Sequence, residues 1–253
     1  MYQEERMAAI IDYLKRHQRM SIQDMCQNFH VSRDTARRDV VKLTEQGLVI
    51  RTHGGVMLPR VKESLKDYAE RLERSAEEKN KIAKHASQLI ESEEVIMLDA
   101  STTVQFTAEK IHSSRLTVIT NSIVNAESVS PKNDTEIYLL GGRLNPEHRF
   151  LFGPNTLSKL EQYYADKAFM GVVGISEDGF YYAHEEDAAV KKKMSERADK
   201  VYVLADHSKF HKKHFYKGMD LSIADVIITD RLPSDDFITL FNDNGIDMII
   251  AES

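Results

Sequence analysis

The stretch Val31-Ser32-Arg33-Asp34-Thr35-Ala36-Arg37-Arg38-Asp39 places three arginines on one short segment directly after a serine. Ser32 is a natural N-cap, and the pattern predicts a helix over residues 33–46 that ends before Gly47. The apolar positions at helical spacing are Ala36, Val40 and Leu43. Because these residues turn inward, the arginines turn toward solvent.

Two amphipathic helices are predicted before this segment, one over residues 3–17 and one that begins after Ser21. A helix, a short turn and a second helix with arginines near its start is the geometry that enters the major groove of DNA. A guanidinium can bond guanine O6 and N7 or clamp a phosphate. The candidate DNA-contacting residues of the third helix are Ser32, Arg33, Thr35, Arg37 and Arg38. The alternative is a solvated helix face that also carries Asp34, Asp39 and Glu45.

Two short β-prone runs around Gly54-Gly55 follow the third helix and predict a β-hairpin, which would be a wing. Arg51 and His53 lie near its tip, where they can reach phosphates or the minor groove. For His53, a purely structural hairpin is an open alternative. The first 58 residues are therefore interpreted as a winged helix-turn-helix domain.

Composition and charge agree with a protein that binds DNA through one end only. The 253 residues carry a net charge of −6, but residues 1–60 hold ten basic and seven acidic side chains, a net of +3. No apolar run approaches the ~18–20 residues that span a bilayer, so no membrane association is expected. The charged N-terminus and the single cysteine, Cys26, favour a cytoplasmic protein without a secretory signal.

After a charged connector over residues 59–80, strands and helices alternate through residues 81–253. Seven short apolar runs are predicted to be strands, at residues 95–98, 116–119, 137–140, 168–170, 201–204, 226–228 and 248–250. Short continuous apolar strands separated by helices predict a mostly parallel sheet covered on both faces. The fold class is thus α/β, with the winged helix-turn-helix joined to a larger α/β sensor domain.

Polar or glycine-rich turns follow four of these strands, and ligands of such sheets bind at the carboxyl ends of the strands. Hydroxyls and backbone N–H groups at a helix start can cradle a phosphate. The candidate effector-binding residues are Asp99, Ser101, Thr102, Thr103, Asn121, Gly141, Gly142, Arg143, Lys191, Asp206 and Lys209. Each has an alternative: the hydroxyls cap a helix, the glycines form a tight turn, and Lys191 belongs to a solvated lysine run.

The motifs of both regions together resemble the DeoR family of bacterial transcriptional regulators. The N-terminal motif runs from Val31 to Asp39 and continues with Arg51-x-His53-Gly54-Gly55. In the rest of the chain the matching segments are Asp99-x-Ser101-Thr102-Thr103, Thr120-Asn121-Ser122, Gly141-Gly142, Asp166-Lys167-Ala168-Phe169, Val190-Lys191 and Asp206-x-Ser208-Lys209-Phe210. The resemblance implies repression of sugar or nucleoside operons by a protein whose sensor domain is related to ribose-5-phosphate isomerase. Two residues depart from the family pattern: Ser101, where glycine is more frequent, and Asp187, where glutamate is more frequent.

Parts of the sequence also allow two other functions, sugar-phosphate isomerisation and metal binding. A working sugar-phosphate isomerase needs a general base, and residues 174–179 lack the acidic pairing that the isomerases carry in the comparable stretch. A metal site through His207, His211 and His214, with His184 or His148 as a further ligand, competes with a solvated basic loop, which the lysine-rich surroundings favour. We therefore expect no catalytic residue, no metal and no cofactor.

The expected partners are double-stranded operator DNA, a phosphorylated sugar or related effector, and further copies of the chain in a homodimer or homotetramer. Effector bound to the sensor would change operator affinity by biasing the spacing of the DNA-binding domains.

Overall fold

A computed structural model describes residues 3–17, 19–45, 49–52, 54–57, 68–132 and 134–252. The chain divides into two compact units, Met1–Ser64 and Leu65–Ser253, and each is described by itself. Within the described residues, every helix is too short or too polar to span a lipid bilayer.

The first unit contains three helices and a small antiparallel sheet. In chain order its elements are α1 Gln3–His17, β1 Arg19–Ser21, α2 Ile22–Phe29, α3 Arg33–Glu45, β2 Ile50–Thr52 and β3 Gly55–Met57. Strands β2 and β3 form the hairpin expected from the sequence, and β1, which was not expected, pairs with the other edge of β3. The winged helix-turn-helix is confirmed.

Local hydrogen bonds fix the turn between α2 and α3. Ser21 and Asp24 form a reciprocal capping box at the start of α2, with bonds of 3.0 and 2.9 Å. His30 ends α2 in the left-handed conformation, at φ 52°. The Ser32 hydroxyl then accepts the backbone N–H of Thr35 at 3.2 Å and caps α3.

Gly55 is required where β1 and β3 meet. A β-carbon at this position would lie 2.1 Å from the carbonyl oxygen of Met20, which is well inside van der Waals contact. A side chain at residue 55 would therefore push β1 away from the wing.

The second unit is built on a seven-stranded parallel sheet. The strands of this unit, which include five outside the large sheet, are β4 Val95–Leu98, β5 Thr117–Thr120, β6 Glu136–Leu139, β7 Arg143–Asn145, β8 Phe150–Phe152, β9 Ala165–Gly171, β10 Gly174–Ser176, β11 Gly179–Tyr182, β12 Ala198–Leu204, β13 Tyr216–Met219, β14 Val226–Thr229 and β15 Asp247–Ile250. The large sheet has the order β15-β14-β12-β9-β4-β5-β6, and all its neighbours run parallel. These seven strands correspond to the seven apolar runs, and the α/β fold class is confirmed.

Helices cover both faces of this sheet. They are α4 Tyr68–Glu73, α5 Ala76–Gln88, α6 Thr102–Lys110, α7 Ile123–Val129, α8 Pro154–Leu160, α9 Glu185–Ser195 and α10 Asp235–Asp243. Alternate residues of each strand belong to opposite cores: Ile96 and Leu98 pack in a cluster with residues of α5 and α6. Met97 packs in a second cluster, with residues of α9 and α10. Burial on both faces explains why these strands read as continuous apolar runs.

Two small antiparallel pieces were not expected from the sequence. Strands β10, β11 and β13 form a three-stranded sheet, and β7 and β8 form a hairpin. The described part of the predicted connector, residues 68–80, forms α4 and the first residues of α5, with Tyr68 and Lys79 buried in the second unit.

The strand order defines where a ligand crevice can lie. From β4 the chain adds β5 and β6 on one side of this strand. It then adds the later strands on the other side of β4, in the order β9, β12, β14 and β15. The order therefore reverses between β4 and β9, and in open parallel sheets the crevice at such a switch point is the usual ligand site.

Candidate functional site

The first candidate site is the outer face of α3. Arg33, Arg37 and Arg38 are exposed, whereas Ala36 and Val40 are buried beneath them, as the spacing predicts. The Ser32 and Thr35 side chains lie at the start of the helix, with their hydroxyl oxygens 3.0 Å apart. Exposed guanidinium groups at the start of a helix-turn-helix recognition helix can bond base edges or phosphates.

The wing brings a fourth arginine to this face. Arg37 of α3 and Arg51 of β2 line the same groove of about 350 Å³, with Gly54 and Gly55 on its wing side. Two guanidinium groups on one groove form a concentrated positive surface, as phosphate binding requires. His53, the other predicted wing residue, lies outside the described residues.

Asp39 is not part of a solvated face, and this corrects the alternative weighed above. Its side chain is only 1% exposed and accepts hydrogen bonds from Arg6 Nε at 2.6 Å and Arg6 Nη2 at 3.1 Å. Gln3 Nε2 donates to the same carboxylate at 3.0 Å. The bidentate pair joins α3 to α1 and so fixes the helix that presents the arginines. The sequence does carry a signal for this burial: Asp39 lies three residues after Ala36 and next to Val40, both of which are buried on α3.

The second candidate site is centred on Asp99, directly after β4. This carboxylate is fully buried and accepts the backbone N–H of Ser101 at 2.8 Å and of Gly171 at 2.9 Å. Lys191 Nζ of α9 lies 2.7 Å from Asp99 Oδ2. Asp99 thus joins the ends of β4 and β9 at the switch point to α9.

Lys191 is a buried cation rather than part of a solvated lysine run. Its side chain is 4% exposed and contacts Asp99, Asp187 at 3.2 Å and the carbonyl oxygen of Gly171 at 3.0 Å. Burial opposes its charge, but the two carboxylates outweigh burial and raise the pKa of Lys191. Burial, opposed by Lys191 and reinforced by Asp99, raises the pKa of Asp187. The shorter aspartate, where the family more often has glutamate, still reaches Lys191.

The hydroxyl residues lie at the start of α6, beside this network. Ser101 caps the helix through a 3.2 Å bond from the backbone N–H of Val104, and Thr102 and Thr103 are buried. The first N–H groups of any helix have no partner within the helix, so this start can bind an anion. Gly171 lets the end of β9 approach, because a β-carbon there would lie 2.3 Å from Ser101 Oγ.

Several buried polar atoms near the switch point have no hydrogen-bond partner among the described residues. They are Asn121 Oδ1, Asn125 Oδ1, Tyr182 Oη and His184 Nε2. Asn125 also donates to the carbonyl oxygen of Asp99 at 2.6 Å, and Lys191 Nζ lies 5.1 Å from the centre of the Tyr182 ring. Buried polar atoms are normally bonded, so a concentration of unbonded ones favours a binding site for a polar ligand.

A cavity of about 30 Å³ lies beside the Lys191 network. Ser101, Gly171, Asp187 and Lys191 line it together with Arg71, His148 and His184. Ligand pockets typically measure about 300–1,000 Å³, so the crevice is nearly closed in this conformation.

Sequence reasoning missed the arginine and the two histidines of the cavity lining. Arg71 lies on α4, in the segment interpreted as a connector. His148 and His184 were considered only as metal ligands, and their rings lie 4.8 Å apart. A usable signal was that His184 immediately precedes α9, the helix that carries Lys191.

The other predicted effector residues lie elsewhere in the second unit. Gly141 and Gly142 line a separate cavity of about 300 Å³ with Tyr138, Lys159 and Tyr163. Gly142 has a φ of +141°, which favours glycine, and the guanidinium of Arg143 lies 5.7 Å from the ring centre of Phe152. Asn121 donates to the carbonyl oxygen of Leu151 at 3.1 Å.

Asp206 and Lys209 form a pair after β12, with Lys209 Nζ 3.7 Å from Asp206 Oδ2. Burial opposes the charge of Asp206, but Lys209 and the Ser208 N–H outweigh it and lower the pKa of Asp206. Neither residue lines the cavity at Asp99. Apart from Asn121, the predicted set therefore falls into three groups, of which the Asp99 group contains Ser101, Thr102, Thr103 and Lys191.

The histidines considered for a metal have different partners. His207 Nδ1 lies 2.7 Å from Asp230 Oδ2, and His211 Nε2 lies 3.1 Å from Ser234 Oγ. These contacts give no common centre for His207 and His211.

Both units resemble known proteins. Residues 6–61 match the family model of the DeoR-like helix-turn-helix domain, and residues 74–231 match that of the DeoR C terminal sensor domain. The chain is 50% identical over 252 residues to the HTH-type transcriptional repressor GlcR of Bacillus subtilis, covering 100% of this chain and 98% of the relative. It is 29% identical over 250 residues to the glycerol-3-phosphate regulon repressor of Escherichia coli, covering 98% and 99%.

Among solved structures, a D-ribose-5-phosphate isomerase in complex with phospho-erythronic acid matches with a TM-score of 0.40 and 19% identity, over 53% of this chain and 54% of that one. The two family matches and the relatives aligned over nearly their whole length identify both units. The chain belongs to the DeoR family of DNA-binding transcriptional regulators.

Proposed function

We propose that the protein represses an operon of carbohydrate metabolism and that a phosphorylated sugar or related metabolite, bound at the switch point, controls its affinity for operator DNA. The observation that carries the proposal is the buried network of Asp99, Lys191 and Asp187 at the start of α6, surrounded by polar atoms without hydrogen-bond partners. Buried polar atoms without hydrogen-bond partners destabilise a fold unless a ligand bonds them. Buried charges with perturbed pKa values also cluster at functional sites.

The DNA-binding half of the proposal rests on the arginines of α3 and of the wing. Arg33, Arg37 and Arg38 are exposed on α3, and Arg51 lines the same groove as Arg37. The Bacillus relative is named a repressor and the Escherichia relative a regulon repressor, which favours repression here.

The chemistry of the crevice favours a ligand with both an anionic group and hydroxyls. The start of α6 offers backbone N–H groups and the threonine hydroxyls to a phosphate. Asp187 lines the crevice, and its carboxylate can accept hydrogen bonds from sugar hydroxyls. The unbonded oxygens of Asn125 and Tyr182, which contact Asp99 and Lys191, are further polar groups beside it. The name of the Escherichia relative includes a phosphorylated three-carbon metabolite, which belongs to the same chemical class.

We propose binding without catalysis. Asp99, the most buried carboxylate of the crevice, already accepts bonds from two backbone N–H groups and Lys191, so neither oxygen is presented to a substrate proton. Glu177 and Asp178, in the stretch compared with the isomerases, accept from the Ser176 and Tyr181 hydroxyls in and beside the β10–β11 hairpin.

Regulation follows from linkage between the two sites in a homodimer or homotetramer. Operators bound by helix-turn-helix dimers present half-sites about one helical turn apart, so two copies must hold their α3 helices at that spacing. A ligand that favours one arrangement need supply only about 1–3 kcal/mol of coupling to change occupancy.

The test combines ligand binding with operator binding. Thermal unfolding is measured with glucose 6-phosphate, fructose 6-phosphate, ribose 5-phosphate and glycerol 3-phosphate, each beside its unphosphorylated parent. A ligand at 100 times its Kd adds about 2.7 kcal/mol of stability. Operator fragments are selected by the protein from a random DNA library and titrated with and without each stabilising compound. Stabilisation by parents and phosphates alike, or by none of them, would contradict the proposal.

Two variants separate the sites. Arg38→Ala should lose operator affinity and keep the ligand-induced stabilisation. Thr102→Glu, which places a negative charge where the phosphate is expected, should keep operator binding and lose the ligand response, whereas Thr102→Ser should keep both. Operator binding by Thr102→Glu also reports that the DNA-binding unit is folded.

A further inference from the structure

Arg71 occupies a position that the proposed effector site needs. It lines the small cavity at the switch point together with Ser101, Asp187 and Lys191. As ionised groups, Asp99 and Asp187 outnumber Lys191, so that network alone is negative and would repel a phosphate. Arg71 supplies the additional cation, and a guanidinium is well matched to phosphate because it can form two parallel hydrogen bonds.

Arg71 comes from an element that is held in place by its two ends. Helix α4 has six residues, too few to be stable as an isolated helix. At its start, the buried Tyr68 donates its hydroxyl to Gln105 of α6, and its backbone N–H bonds the carbonyl oxygen of Glu147 at 3.3 Å. At its end, the buried ammonium of Lys79 donates to the carbonyl oxygens of Arg71 and Arg74, the latter at 2.7 Å.

The size of the cavity requires a wall to move. A space of about 30 Å³ is roughly that of one water molecule, far below the volume of a sugar phosphate. The other walls are the end of β4 with the start of α6, the end of β9, helix α9, and the β7–β8 hairpin, which contributes His148 and Phe150. Helix α4 is the shortest helix at the cavity, and the polar contacts of Tyr68 and Lys79 hold its two ends.

We propose that α4 is a movable roof of the effector site and that Arg71 on this roof binds the phosphate of the effector. The proposal rests on the proposed function of the switch-point crevice and assigns its regulation.

The first experiment compares Arg71→Met with Arg74→Met in the full chain. Both changes remove one arginine charge from the same short segment, but Arg74 is exposed and does not line the cavity. Isothermal titration uses inorganic phosphate and glucose 6-phosphate as probes, with glucose as the uncharged reference. Loss of a charge-assisted contact should weaken phosphate-containing probes by roughly 10–100-fold in Arg71→Met, with less than a threefold change in Arg74→Met.

The second experiment measures hydrogen exchange of the α4 amides with and without glucose 6-phosphate, with α10 as the internal reference. A roof that moves should change its exchange at least severalfold on ligand addition, while α10 stays constant. Tyr68→Phe, which removes the bond to Gln105 and keeps the ring, should raise α4 exchange in the free protein.

The outcomes separate this inference from the proposed function. If the wild type binds a phosphorylated probe and Arg71→Met binds it equally well, the role of Arg71 is overturned and the sensor site stands. If binding occurs with no change in α4 exchange, the movable roof is overturned. If the wild type binds no phosphorylated probe, both the proposed function and this inference fail.

Discussion

Asp39→Asn tests whether the buried ion pair with Arg6 holds the recognition helix in place. The two side chains are 8% and 1% exposed, and Arg6 donates two hydrogen bonds to the carboxylate. Removing one partner of a buried pair costs about 3–5 kcal/mol, because the other charge remains buried. A unit of 64 residues has a total stability of roughly 3–10 kcal/mol at 0.05–0.15 kcal/mol per residue, so this loss is a large fraction of it.

The measurement is hydrogen exchange of the α3 amides in the full chain. A loss of about 3 kcal/mol lowers their protection roughly a hundredfold, since each 1.4 kcal/mol is a factor of ten. Asp34→Asn is the matched control: it lies on the same helix and makes the same chemical change, but Asp34 is exposed. Its favourable interaction with the helix N-terminus is worth about 1 kcal/mol at most.

Equal protection of the α3 amides in Asp39→Asn and Asp34→Asn would refute the role of the Arg6–Asp39 pair in holding α3. The double change Arg6→Met with Asp39→Leu adds a check on the mechanism. Because it removes both buried charges and keeps apolar volume, it should regain most of the lost protection.

Three further outcomes are expected. Arg37→Ala and Arg51→Ala should each lower the slope of log affinity against log salt by about one if they contact phosphates, measured by fluorescence anisotropy; an unchanged slope assigns them elsewhere. Lys191→Met leaves Asp99 buried without its cation and should lower the unfolding free energy of the second unit by about 3–5 kcal/mol in calorimetry; wild-type stability would contradict this. Burial lowers the pKa of Lys79 to about 8 from an ordinary 10.5, so the unfolded chain binds more protons than the folded one between these pH values. Stability of the wild type relative to Lys79→Met should therefore rise with pH across that window, and parallel stability curves would refute this assignment.

Sequence patterns predicted the elements that bury a regular apolar face. The seven strands of the large sheet were found because each is covered on both sides, which leaves continuous apolar runs such as Val95–Leu98. The helix-turn-helix was found because Ser32 and the stripe of Ala36, Val40 and Leu43 carry independent signals of the same helix.

The parts that were missed depend on contacts between distant segments. Strand β1 exists because Gly55 lets Met20 approach, and three residues carry no periodicity of their own. Arg71 lies in a stretch whose charge pattern predicts a connector. Its place at the crevice depends on Tyr68, which bonds Gln105 of α6, and on Lys79 of α5, which bonds the carbonyl oxygen of Arg74. The three groups of predicted effector residues follow the ends of β4, β6 and β12, but β6 and β12 lie four places apart in the strand order, on either side of β4. The effector contacts and the domain boundaries stay predictions.

The docking of α4 sets the concentration at which a sensor of this design responds. If a ligand can bind only after the roof has opened, the apparent Kd equals the intrinsic Kd divided by the fraction of open molecules. Each 1.4 kcal/mol by which Tyr68 or Lys79 favours the docked roof raises the response threshold tenfold. Substitutions at these two positions can therefore adjust the protein to a scarcer or a more abundant metabolite without changing which metabolite it recognises.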